Sequence, residues 1–166
     1  MGIDLIRRFF LTVVLCVAQV LIFGRIHLFG FATPMPYIYI VLLFPRDFPR
    51  WAMLLWSFAA GLLIDIFANT PGVAAASMTL LAMARPPLLT PFMPRDCDET
   101  FIPRADTMGL RPFIYYSLTG VTTYCIVFFI LEMFSFSDWP YMLQCIFGSA
   151  VLTEILILAF ETLRRR

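Results

Sequence analysis

Gly61-Leu62-Leu63-Ile64-Asp65-Ile66-Phe67-Ala68-Asn69-Thr70-Pro71-Gly72 decides how the rest of the chain is read. It starts inside an apolar run that opens at Trp51 and carries one carboxylate, Asp65. It then stops at a turn of Asn, Thr, Pro and Gly, and a second apolar run begins at once from Val73. Apolar runs near 20 residues are membrane spans, and Asn, Pro and Gly favour turns. The stretch therefore predicts a membrane helix, a tight turn and a returning helix, with one ionisable group near the end of the first.

Composition agrees with a bilayer. The 166 residues are 61% hydrophobic and 14% charged, with a mean hydropathy of +0.86, whereas a soluble domain carries about 25% charged residues. The expectation is one integral membrane domain over residues 1–166, all-α and polytopic. A net charge of +1 gives no electrostatic footprint for nucleic acid. Cys16, Cys97, Cys125 and Cys145 form no CxxC pair, and His27 is the sole His, so neither a metal site nor a cofactor is expected. Cys16, Cys125 and Cys145 lie in apolar runs and read as small hydrophobes. Met1-Gly2 followed by Asp4, Arg7 and Arg8 is a charged lead without a small-residue cleavage site, which predicts an uncleaved anchor.

Working outward from the turn, residues 51–68 form one span, with Trp51 and Trp56 near an interface. Residues 73–83 begin the next span. It meets Arg85-Pro86-Pro87, which kinks or ends it, and residues 88–93 finish it. Residues 94–111 hold Arg95, Asp96, Asp98, Glu99, Arg104 and Asp106 and are expected in the cytoplasm. Residues 113–134 and 141–160 are the last two spans, joined by a turn with Trp139 as an anchor. Toward the N-terminus, residues 9–23 form a span with Gln19 as its one strongly polar interior residue. Residues 24–30 read as interfacial.

Residues 34–45 are harder to place. Their apolar core, 37–44, rises only about 1.5 Å per residue and cannot cross about 30 Å of hydrocarbon. The segment crosses if it begins near Thr33, with Pro34 in the first turn, and is tilted or thins the membrane; otherwise it is re-entrant. The arginines favour crossing. With six spans and an inside N-terminus, eleven of the twelve fall on the cytoplasmic side and only Arg25 lies outside, as the positive-inside rule requires. About six spans with both termini cytoplasmic follow, and the 69–72 turn faces outward.

Asp65 leads the candidate site residues. A carboxylate at membrane depth faces a bundle interior, and Ser57, Gly61 and Asp65 share one helix face. Asp65 is either a solute or proton site or, the favoured reading, a structural hydrogen-bond acceptor capping the helix after Pro71. Glu154 is the second candidate for a buried carboxylate. Glu132 and Glu161 read as interfacial, and Arg85 as snorkelling to the cytoplasmic interface. Gly72, Ala74, Ala75, Ala76, Ser77 and Thr79 make a small-residue stretch that admits close helix approach. It either packs within this bundle or docks a partner's transmembrane helix, which makes Ser57, Gly61, Asp65, Gly72, Ala75 and Ala76 the partner-interface candidates. With no Ser-His-Asp set and no phosphate-binding glycine loop in the sequence, an enzyme is not expected.

Several of these stretches together resemble the MreD family of bacterial rod shape-determining membrane proteins. They are 61–67 with Thr70-Pro71-Gly72, His27-Leu28-Phe29-Gly30, Pro36-Tyr37-Ile38-Tyr39 ending at Pro45, Phe113-Ile114-Tyr115-Tyr116-Ser117, and Leu131-Glu132-Met133-Phe134. The resemblance runs in order along nearly the whole chain. It implies a non-enzymatic, multi-pass inner-membrane scaffold of cell elongation. Its partners would be MreC, the MreB filament, RodA and a class B penicillin-binding protein, and its fold would be similar to the substrate-binding subunits of energy-coupling-factor transporters. Many members carry a His shortly after the Gly at the Gly72 position. Here Ala74-Ala75-Ala76 stands there, so no role of that His carries over. The alternative reading is a solute-binding membrane subunit of such a transporter, with Asp65 and neighbouring aromatics holding a small ligand.

Overall fold

A computed structural model describes residues 2–21, 33–70, 72–93, 101–133 and 139–165. Arg25, the His27–Gly30 stretch, Pro71, the acidic half of the polar loop with Cys97, and residues 134–138 lie outside the described residues. The described chain is all-helical: α1 (Gly2–Leu21), α2 (Ile38–Leu42), α3 (Arg50–Ala68), α4 (Val73–Leu89), α5 (Ala105–Met108), α6 (Leu110–Glu132) and α7 (Trp139–Arg165). Among the described residues, four helices are long and apolar enough to cross a membrane: Arg50–Ala68, Val73–Phe92, Leu110–Glu132 and Trp139–Arg164. The chain is thus compatible with a multi-pass membrane protein.

Packing follows chain order. Helix α1 lies on α3, α3 on α4, α4 on α6, and α6 on α7. Large apolar side chains cover the outside: Phe10, Ile66, Phe67, Met83 and Phe147 are each at least 66% exposed. In water such a surface would drive aggregation; against lipid it is the expected exterior.

Helix α4 does not end at its prolines. It continues through Pro86 and Pro87 to Leu89, followed by a 3-10 turn at Thr90–Phe92. Each proline lacks an N–H, so two intrahelical bonds are absent. Hydrogen bonding resumes beyond them, where the Thr90 hydroxyl donates to Pro86 O at 2.9 Å.

The segment at 34–45 departs most from a continuous span. Its helical part is the five-residue α2, and every residue from 34 to 44 is buried. A lipid-facing span would leave one stripe exposed. This one is enveloped, touching α1, α4 and α6. Short helices and irregular backbone are tolerated at membrane depth only when protein surrounds them and their free N–H and C=O groups find partners. Gly120 on α6 lets the segment come close: a Cβ there would lie 2.7 Å from Leu42 Cδ2.

Candidate functional site

Asp65 acts as the cap expected of it. Its Oδ1 accepts from Ala74 N at 2.9 Å and from the Thr70 hydroxyl at 2.8 Å, and its Oδ2 accepts from Ala75 N at 2.8 Å. These amides belong to the first turn of α4, whose N–H groups have no intrahelical partner. Helix α4 has no cap from Gly72 itself, so the carboxylate of the preceding helix does that work. The turn is tight because Asn69 (φ 56°) and Gly72 (φ 82°) both adopt the left-handed conformation, one that Asn and Gly enter most readily. Both Asp65 oxygens are engaged by their own chain.

The small-residue face packs inside the bundle. A Cβ on Gly61 would sit 2.5 Å from Ala75 Cα and 2.7 Å from Ala74 O, so the α3 and α4 backbones touch there. Ser57, Asp65 and Ala75 are likewise buried. Substituting Leu at Gly61 or Ala75 would therefore force α3 and α4 apart before it reached any partner. Of the six interface candidates, Gly72 is exposed and Ala76 half-buried.

Arg85 corrects the sequence reading. It does not snorkel: it is 3% exposed. Its guanidinium donates to Phe44 O and, at 3.4 Å, to Leu42 O. Its Nε donates to the Tyr116 hydroxyl at 3.1 Å, and that hydroxyl donates in turn to Leu42 O at 3.2 Å. These carbonyls close the C-terminal end of α2, where a cation complements the helix dipole. At the other end of the segment, the Ser149 hydroxyl accepts from Thr33 N and the Thr153 hydroxyl from Met35 N, both at 3.0 Å. Side chains of α4, α6 and α7 thus supply the bonds that a full-length helix would have supplied to itself. An Arg inside an apolar run without a carboxylate at helical spacing is the signal that points to carbonyl ligands.

Glu161 is buried, 5% exposed; Oε2 accepts from the Tyr39 hydroxyl and Oε1 from Ala105 N at 3.0 Å. One carboxylate thereby ties α7 to α2 and to α5. The polar loop is accordingly anchored over its second half, where Ala105 and Met108 are buried. Glu154 is buried as expected. Its Oε1 accepts from the Ser117 hydroxyl at 2.5 Å, while Oε2 has no hydrogen-bond partner among the described residues. Asp65 and Glu154 share no partner, so they form no carboxylate pair. Tyr37 on the buried segment meets Tyr124 of α6 edge to face, their hydroxyls 2.5 Å apart. No group of three or more metal-ligating side chains occurs among the described residues.

These features define, over the described residues, an all-helical chain of membrane-spanning character in which several interior polar groups, Asp65, Arg85 and Glu161 among them, bind its own backbone. No family model matches it, and neither a curated protein nor a solved structure does.

Proposed function

We propose that this chain is a non-enzymatic scaffold of the bacterial cytoplasmic membrane, similar to the MreD family. In this reading it links an MreC-like partner and the lateral-wall peptidoglycan synthesis proteins, RodA and a class B penicillin-binding protein among them, to an MreB-like filament. The observation that carries the reading is where the buried polar groups go. Asp65, Arg85, Tyr116, Ser149, Thr153 and Glu161 all bond to main-chain atoms of this chain. A protein that uses its interior in this way offers its outer faces to others. The ordered series of MreD-like stretches points in the same direction.

The proposal includes six passes with both termini cytoplasmic, in an arrangement similar to energy-coupling-factor substrate-binding subunits. Trp56 Nε1 of α3 donates to the Thr12 hydroxyl at the middle of α1 at 3.1 Å, so these two helices lie side by side. The arginine bias assigns both termini to the cytoplasm. Ala76, half-buried in the first turn of α4 beside the exposed Gly72, is a small residue where a partner helix can approach.

A mild-detergent pull-down of the tagged protein from its own host, read by mass spectrometry, tests this. Recovery of MreC with wall-synthesis proteins, reduced several-fold by Ala76→Leu, is expected. Recovery of paired ATPases and a coupling subunit without MreC would overturn the scaffold in favour of a solute-binding transport subunit.

A further inference from the structure

Arg8, Arg104 and Arg164 come from α1, from the stretch before α5 and from the end of α7, yet they line one pocket of about 70 Å³. The rest of its wall is largely apolar and includes Leu43, Phe44 and Trp56, and no carboxylate lines it among the described residues. Glu161, one turn before Arg164, is engaged by the Tyr39 hydroxyl and the Ala105 amide, and Arg164 interacts with the same Tyr39 hydroxyl at the pocket's edge. Arg8 and Arg104 also make contacts within the chain, so the three cations belong to the folded end of the bundle rather than to loose tails. Next to the pocket, Phe9 packs edge-on against Trp56 at 6.0 Å while remaining 60% exposed. One side of the site is thus cationic and the adjoining surface apolar.

We infer that this pocket binds a phosphate, the phosphodiester of an anionic lipid lying against this end of the bundle. Guanidinium groups match phosphate oxygens in geometry and charge. The volume suits about five waters or one tetrahedral oxyanion, not a whole headgroup. The exposed Phe9 and Phe10 give acyl chains a surface beside it, which a free ion would not use. Basic pockets between helices at the cytoplasmic side are where such headgroups bind. The inference rests on the chain lying in a bilayer with this end at the cytoplasmic side, as proposed above, and not on the scaffold partners.

The test is native mass spectrometry of the purified full chain, equilibrated with mixed micelles of phosphatidylglycerol and phosphatidylcholine. The wild type retains phosphatidylglycerol preferentially. Arg104→Gln with Arg164→Gln lowers that retention about tenfold, the scale of one lost charged hydrogen bond. Arg104→Lys with Arg164→Lys keeps most of it, and a thermal melt verifies that each variant is folded. Arg50→Gln with Arg111→Gln, exposed arginines that do not line the pocket, leaves retention unchanged. Equal retention of the two lipids by the wild type, or equal loss in the Arg50/Arg111 control, would overturn the site. Full displacement by equimolar inorganic phosphate would overturn the lipid as its source.

Discussion

The α3–α4 turn and the buried 33–44 segment meet the same requirement by opposite means. Both contain helix ends with buried backbone groups, and both must satisfy N–H or C=O groups that have no partner within their own helix. The turn does so locally: Asp65 reaches amides only nine and ten residues ahead. The segment depends on remote chain. Phe44 O and Leu42 O are held by a side chain 41 and 43 residues away, and the Thr33 and Met35 amides by hydroxyls 116 and 118 residues away. The turn can therefore stand as a unit, whereas the half-length helix exists only within the assembled bundle.

Breaking the remote set has the largest expected effect. Arg85→Leu leaves the buried Phe44 O without its donor, about 1–3 kcal/mol, and Leu42 O with the Tyr116 hydroxyl alone. A total loss of about 2–4 kcal/mol is expected, read as unfolding of the purified protein in mixed detergent micelles. A loss under about 1 kcal/mol would mean that the segment does not need its cation. The local set comes next. Asp65→Ala removes three hydrogen bonds and the cap of α4, for about 2–3 kcal/mol. Asp65→Asn, which keeps one acceptor oxygen, recovers part of it. Proteolysis confined to the 69–72 turn would sharpen the comparison, since a local defect should open locally. The smallest effect is Thr153→Val, at about 1 kcal/mol, measured in the same unfolding assay. If it matched Arg85→Leu, the two ends of the segment would be equally critical and the dipole argument at the C-terminal end would fail.

How much of this was legible in the sequence follows the same division. Asp65, the turn and the four long helices were readable because their determinants lie within a few residues of one another. Gly61 was recognised as a contact glycine, but its partner is the neighbouring helix of its own chain. Arg85 reads as snorkelling because it lies close to an expected span end. Nothing within one turn of Arg85 indicates Phe44 O, and nothing near Glu161 indicates Tyr39 or Ala105. The shortness of the segment around α2 is legible in its apolar core at 37–44, too brief to cross the hydrocarbon as a helix. That Ser149 and Thr153 would serve it is not, because small polar residues in a span usually bond back within their own helix. The Thr153 hydroxyl does so as well, donating to Ser149 O at 2.6 Å while accepting from Met35 N.

The hydroxyls that receive the Thr33 and Met35 amides also bear on biosynthesis. At about 5–20 residues per second, the 118 residues separating Met35 from Thr153 take about 6–24 s to synthesise. Through that interval the early segment has been made but its acceptors have not, while the α3–α4 turn already holds its own. The last helix is then the latch of the bundle: a nascent chain stalled before Ser149 keeps a finished hairpin beside an entry segment whose Met35 amide still lacks its acceptor.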